Sequence, residues 1–188
     1  MDDLYAATKG QVYQRDRQTG YNDAGWEIWP GNYSRFITQV DADKESKGLF
    51  RIGGHLHRGS PIYARFARSF KNTRGNKSMH FICQKGFFSS PVRQLKVSVI
   101  YYDDIEGSTW QFQYDAGRGN FLTAFTVTCT GSDTWKTHTV IVADAVMQHN
   151  GPKGCDFALV NRDQHNDIFH RIEIEKLNDD NPSDTTHR

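Results

Sequence analysis

The sequence predicts an all-β fold, a two-sheet antiparallel β-sandwich of the jelly-roll kind, on three observations. Short runs that alternate apolar and polar residues recur along most of the 188-residue chain, with little helical periodicity between them. Phe, Tyr and Trp supply 13% of the residues, side chains that suit a pleated, half-buried surface. Turn-forming residues separate the runs at regular spacing, which is the pattern of a sandwich and not of βαβ units.

Taken in order, residues 1–25 are polar, lack a period and read as a leader or edge segment. Strand-like runs follow at 33–40, 49–52, 62–70, 79–83, 95–102, 110–114, 122–130, 135–142, 157–161 and 168–175. In one of them Trp110, Phe112 and Tyr114 share a face while Gln111 and Gln113 share the other, as in a strand with one face in the core. Val97, Val99, Trp110, Phe112, Trp135 and Ile172 are expected between the two sheets. Trp26 and Trp29 fall in a stretch with no strand signal. The segments 103–107 and 115–119 are rich in Asp and Gly and read as loops. The chain therefore divides into a leader (1–25), one β-sandwich (26–177) and a flexible tail or linker (178–188).

Composition narrows the class of protein. With 24% charged and 37% hydrophobic residues the chain is globular, and its length suits a single domain. No apolar run reaches the roughly 18 residues of a membrane helix, so no membrane partner is expected. The start, Met1-Asp2-Asp3, has neither a basic nor an apolar signal region; a module cut from a longer secreted enzyme would begin the same way. Cys83, Cys129 and Cys155 allow at most one disulfide, form no CxxC pair, and read as small buried hydrophobes.

The net charge of +1 hides a segregation. Residues 46–102 contain no Asp or Glu but carry eleven Lys and Arg, whereas the chain from Asp103 onward turns acidic. Such a block predicts a positive surface for an anionic partner, unless strands from the two halves interleave and cancel the field.

Several runs together resemble galactose-binding-like carbohydrate-binding modules of the kind appended to bacterial polysaccharide-degrading enzymes. They are Val97-Ser98-Val99-Ile100-Tyr101-Tyr102-Asp103, Trp110-Gln111-Phe112-Gln113-Tyr114-Asp115 and Thr128-Cys129-Thr130-Gly131-Ser132-Asp133-Thr134-Trp135-Lys136-Thr137, followed by Asp156-Phe157-Ala158-Leu159 and Asp167-Ile168-Phe169-His170-Arg171-Ile172-Glu173-Ile174. Upstream, Pro30-Gly31-Asn32-Tyr33-Ser34-Arg35-Phe36 and Tyr63-Ala64-Arg65-Phe66-Ala67-Arg68 are similar to the N-terminal part of such modules. The resemblance implies a jelly roll that holds a glycan, a catalytic domain of a parent enzyme as partner, an extracellular or periplasmic setting, and a structural Ca2+. Asp41 and Asp167 are the carboxylates assigned to that ion, which would staple loops.

The expected ligand site combines aromatic rings, which stack on the C–H face of a sugar, with arginines, which grip carboxylate or sulfate in a fork. Trp26, Trp29, Tyr33, Arg35, Arg51, Tyr63 and Arg65 are the candidates, with the Tyr-x-Arg pairs at Tyr33/Arg35 and Tyr63/Arg65 each on one strand face. The ligand expected is an anionic polysaccharide, sulfated or uronate-bearing, of algal type. No catalytic residue is assigned. The rival is a jelly-roll polysaccharide lyase using Tyr33, Arg35, Tyr63, Arg65 and His80 on one concave sheet. His55-Leu56-His57 has metal-like spacing but lacks further ligands at useful intervals. Asp103, Asp115 and Asp167 could form a glycosidase pair but read as turn formers and calcium ligands. Balanced charge and the lack of an RNA-binding signature argue against nucleic acid.

Overall fold

The computed structural model describes residues 23–27, 33–53, 56–57, 60–61, 65–72, 77–85, 87–88 and 94–177. In chain order the strands are β1 (Asp23–Glu27), β2 (Tyr33–Arg35), β3 (Ile37–Gln39), β4 (Ser46–Ile52), β5 (Leu56–His57), β6 (Ser60–Pro61) and β7 (Arg65–Phe70). They continue as β8 (Ser78–Cys83), β9 (Leu95–Asp103), β10 (Thr109–Asp115), β11 (Phe121–Thr128), β12 (Thr134–Val142), β13 (Phe157–Asn161) and β14 (Ile168–Lys176). One helical turn, α1 (Ala42–Glu45), and a 3-10 turn (Pro152–Gly154) are the helical pieces among the described residues.

The larger sheet runs β12-β9-β14-β1-β2, and β7, which also pairs β4, joins the start of β14. The smaller sheet runs β11-β10-β13-β8-β3. Every pairing is antiparallel, so the expected two-sheet sandwich is the observed fold. The chain passes from one sheet to the other at Phe36, which takes a left-handed φ of 59° and stacks its ring on Phe87.

Alternation decides which faces meet. Leu95, Val97 and Val99 of β9 and Ile172 and Ile174 of β14 point inward against Trp110 and Phe112 of β10 and Phe157 and Leu159 of β13. Phe81, Phe157 and Phe112 stack in sequence through this core, at centroid spacings of 4.8 and 5.2 Å. Cys83, Cys129 and Cys155 are buried and free, with no disulfide among them.

Carboxylates fasten the loops. Asp103, fully buried at the end of β9, accepts hydrogen bonds from the Thr130 amide and hydroxyl, the Ser132 amide and hydroxyl, and the Lys136 ammonium at 2.7 Å. Burial alone would raise its carboxyl, but these donors hold it well below the usual carboxylate range. The 130–132 turn is thus tied to the end of β9.

Two expectations need correction. Trp135 does not sit between the sheets: it pairs in register with Tyr102, whose neighbours Tyr101 and Asp103 point inward, so Trp135 lies on the outer face of the larger sheet. The run of alternating residues in β12 is symmetrical enough to be read in either phase, and the register on β9 selects the other one. Trp26 is not outside a strand; it lies in β1, opposite Ile172 of β14 and Ser34 of β2. That strand begins at Asp23, so its first three residues fall in the stretch read as leader or edge segment, and residues 1–22 and 178–188 lie outside the described residues.

The described part of the basic block does not form one surface. Its strands go to both sheets, and acidic residues from elsewhere reach them: Arg68 meets Asp43 at 3.1 Å and Lys96 meets Glu175 at 3.1 Å. Arg65 is laid over the Trp135 ring, 5.4 Å from its centroid.

Candidate functional site

The outer face of the smaller sheet is assembled by register. Gln113 of β10 stands between Thr123 of β11 and Ala158 of β13, and Ala158 stands opposite His80 of β8. One rung further along, Gln111 stands between Thr126 and Val160, and Val160 opposite Ser78. Two parallel rungs, Thr123-Gln113-Ala158-His80 and Thr126-Gln111-Val160-Ser78, therefore cross four strands, about 14 Å at the usual strand spacing. Neither rung contains a carboxylate. Ala158 is fully buried although it faces out, because the longer side chains of its rung shield it.

The amides are aligned by one another. Gln113 Nε2 donates to Gln111 Oε1 at 3.0 Å and to Thr123 Oγ1 at 3.3 Å, and Gln111 Nε2 donates to Thr126 Oγ1 at 3.1 Å. The Phe121 ring, half-buried at the start of β11, closes one end of the first rung, 6.5 Å from the His80 ring. Phe121 is held by a tight fit: a Cβ added to Gly151 would come 2.6 Å from the Cys155 carbonyl oxygen and closer still to Phe121 Cε1.

His80 is oriented from behind by Glu45 of α1, a carboxylate only 3% exposed. Glu45 Oε1 takes His80 Nδ1 at 2.9 Å and Lys153 Nζ at 2.5 Å, while Oε2 accepts the His80 backbone amide at 2.8 Å. Burial works to raise the Glu45 carboxyl, but the hydrogen bonds from His80 and Lys153 outweigh it and hold the group below its ordinary value. With Nδ1 committed to the carboxylate, Nε2 is the ring nitrogen left for a ligand.

This face offers amide, hydroxyl and imidazole groups in rows, beside an aromatic edge. Such a set makes directional hydrogen bonds to a hydroxyl-rich ligand, and its polar groups are aligned before anything binds.

The described residues expected to bind ligand lie on strands of the other sheet. Tyr33 and Arg35 belong to β2, Trp26 to β1, Arg51 to β4 and Arg65 to β7. Trp29 and Tyr63 lie outside the described residues. The structure brings β4 and β7 together, with Ile52 opposite Arg65, and β7 meets β14 at residues 168–169 and β1 meets it at residues 171–175. Arg35 and Arg65 thus lie on strands of the same sheet, β2 reaching β14 through β1 and β7 pairing with it directly. Near Arg65 the aromatic pair Trp135 and Tyr102 is roofed by Gly53: a Cβ there would lie 2.6 Å from Trp135 Nε1 and 2.7 Å from Tyr102 Cε2.

The lyase constellation does not assemble either, since His80 lies on the smaller sheet while Tyr33, Arg35 and Arg65 lie on strands of the larger. Asp103 and Asp115 are fully buried and accept backbone amides, so neither forms a glycosidase pair with an open carboxylate. Asp41 precedes α1 in a left-handed conformation, with its carbonyl accepting the amides of Lys44 and Glu45. Asp167 turns its Oδ1 to the Ser108 hydroxyl at 2.7 Å, and burial followed by the nearby Asp163 charge raises its carboxyl. Among the described residues no group of three or more His, Cys, Asp or Glu is placed to hold a metal ion. His57 pairs with Ser60 in the small β5–β6 hairpin, and His55 lies outside the described residues.

Gln111 and Gln113 were visible in the sequence as the solvent side of an alternating strand. Glu45 and Lys153 carried no signal, because 35 and 108 residues separate Glu45 from His80 and from Lys153.

The fold and this face define a β-sandwich with one polar outer face whose two rungs carry no carboxylate. No family model and no curated protein matches the sequence. Solved structures that match include the K2 cleaved adhesin domain of Lys-gingipain, at 13% identity and TM-score 0.45 over 82% of this chain and 98% of that one. Another is the CBM22-1–GH10 portion of xylanase 10B from Clostridium thermocellum, complexed with xylohexaose, at 13% and 0.46 over 76% of this chain and 26% of that one. The C-terminal CBM6 of the laminarinase LamC from Zobellia galactanivorans matches at 12% and 0.38 over 82% and 100%. None of the three reaches a TM-score of 0.5, and they assign neither family nor ligand to this chain.

Proposed function

We propose that this domain binds a polysaccharide along the outer face of its smaller sheet. The observation that supports the reading is the pair of polar rungs, with Gln111, Gln113 and an imidazole held in place by the buried Glu45. The sequence resemblance to carbohydrate-binding modules points the same way. Hydroxyl groups of a sugar chain would replace water on the amides and threonines, and Phe121 would cover one ring. The ligand we favour is anionic, since the rungs contain no carboxylate to repel it and the Glu45 carboxylate behind His80 is matched by Lys153.

In this reading the domain does no chemistry. It holds a parent polysaccharide-degrading enzyme, outside the cell or in the periplasm, at high effective concentration on its substrate. Affinity electrophoresis against neutral, uronate-bearing and sulfated polysaccharides tests it. Gln113→Ala should weaken retardation about tenfold, as expected for losing one or two hydrogen bonds in the bound state. Retardation unchanged in both Gln113→Ala and Gln111→Ala would move the ligand off this face. Release of new reducing ends or unsaturated uronate would overturn the non-catalytic role.

A further inference from the structure

One side chain in the two polar rungs belongs to the type that gains or loses a proton near neutral pH, and it is His80. Its Nδ1 lies 2.9 Å from Glu45 Oε1, and Glu45 Oε2 takes the backbone amide of the same residue at 2.8 Å. An ionised carboxylate only accepts hydrogen bonds, so Nδ1 must carry the hydrogen. The neutral ring is thereby fixed as the Nδ1–H tautomer, and its Nε2 presents a lone pair. That nitrogen bonds no group among the described residues, and the side chain keeps 13% of its surface open.

The charges around the ring set what a proton does there. Glu45 is buried, and its charge is matched by Lys153 Nζ at 2.5 Å. Burial works to raise its carboxyl, but the bonds from His80 and Lys153 hold it below its ordinary value, so it stays ionised across the range in which histidines titrate. Elsewhere on α1, Asp43 is turned to Arg68 at 3.1 Å and Lys44 is exposed. Cys155, whose thiol is pushed up to about 11, stays neutral beside Glu45. Asp156, ahead of β13, is bonded to the amides of Cys83 and His149, and Asp115, at the end of β10, to those of Gln148 and Asn150. The strands β3, β11 and β13 bring no charged side chain. With the ring neutral, Glu45, Lys153 and His80 together carry no net charge. With the ring protonated they carry one positive charge, and Nε2 has turned from acceptor to donor.

We propose that His80 is the specificity-determining residue of this face: its neutral ring accepts a glycan hydroxyl at Nε2, its protonated ring donates from Nε2 to a sulfate or carboxylate, and an anionic chain therefore takes up a proton as it binds. The proposal rests on the polysaccharide reading above and adds to it what selects between neutral and anionic chains. A lone pair turned on an anion repels it, and the charge-assisted bond that replaces this contact is about twice as strong as a neutral one. Affinity for an anionic chain thus rises as pH falls through the midpoint of the His80 ring. A neutral chain keeps its affinity, because a hydroxyl meets either form of Nε2 as donor or as acceptor.

The test is affinity electrophoresis of the whole chain at about pH 5 and about pH 8, with a sulfated polysaccharide, whose charge is constant over that range, and with its desulfated form. The sulfated chain should bind about tenfold more tightly at the lower pH, and the desulfated chain within about twofold at both. His80→Gln keeps a side-chain donor for Glu45 but does not titrate, and should bring the pH ratio for the sulfated chain to within about twofold. NMR of the native protein supplies a readout that needs no variant. The free ring at about pH 8 should show the Nδ1–H tautomer in its 15N shifts, and a saturating sulfated oligosaccharide should raise the midpoint of the His80 ring by about one pH unit, the reciprocal of a tenfold gain. An Nε2–H ring in the free protein would overturn the proposal. So would a midpoint unmoved by the oligosaccharide, or a pH ratio that survives in His80→Gln. Binding of the sulfated chain with equal affinity at both pH values would overturn the proposal and leave the polysaccharide reading standing. Retardation by neither chain at either pH would sink that reading, and the proposal with it.

Discussion

Replacing Glu45 by Gln removes one charge and no volume, and the geometry sets the cost. The carboxylate serves three donors: the His80 backbone amide and Nδ1, both inside, and Lys153 Nζ at the rim. A carboxamide has one acceptor oxygen. If it faces the His80 amide, its NH2 is turned on Nδ1 and the ammonium; if it faces those, the buried amide of His80 is left opposite a donor. At least one charge-assisted bond is lost in either pose, about 1.5–3 kcal/mol, with a further penalty where a buried donor is unmatched. Lys153 is 55% exposed and adds little. We expect about 2–4 kcal/mol lower stability in urea unfolding at pH 7. The folded carboxyl lies below its ordinary 4.5, so its contribution is full above that value and drains away as pH falls through the folded value. The gap between native protein and Glu45→Gln should therefore narrow between pH 7 and pH 3. A loss under about 1 kcal/mol, or a gap independent of pH, would refute the reasoning.

Other perturbations follow from the same contacts. Gly151→Ala forces a Cβ into Phe121 and the Cys155 carbonyl, and should cost about 1–3 kcal/mol and weaken polysaccharide retardation through the displaced Phe121 ring; a neutral result in calorimetry would show the turn can shift freely. Asp103→Ala strands the donors of Thr130, Ser132 and Lys136, and should cost about 3–5 kcal/mol at pH 7, shrinking in acid because the native carboxyl is held low. Calcium added after chelator should raise the melting temperature if the ion expected from the sequence staples loops through carboxylates and carbonyls, and an unchanged value would remove that expectation.

Much of the fold was legible because strands with one buried face write their period into the chain. Leu95, Val97 and Val99, or Trp110, Phe112 and Tyr114, can be phased without a partner strand. Trp135 shows where this stops: β12 carries apolar residues in both phases, and only pairing with β9 chooses between them. The candidate site was less legible for a related reason. Aromatic and arginine residues were the conspicuous binding types, yet Arg65 is spent on Trp135 and the described candidates all lie on strands of the larger sheet. Gln111 and Gln113 looked like ordinary solvent-side residues, and nothing local marks Glu45 or Lys153 as neighbours of His80. The alignment of that face is a product of register and of one turn of helix, both set by contacts distant in sequence.

The three thiols bear on how the molecule travels. Each is buried, and burial pushes Cys129 up to about 12 and Cys155 up to about 11, and raises Cys83 well above its ordinary value. A thiol that hardly ionises neither attacks a disulfide nor takes up an alkylating reagent at neutral pH. The covalent structure is therefore the same on either side of a redox boundary. The domain can mature without an oxidase or an isomerase, and it can be prepared in a reducing host and used in aerated medium with its chemistry unaltered.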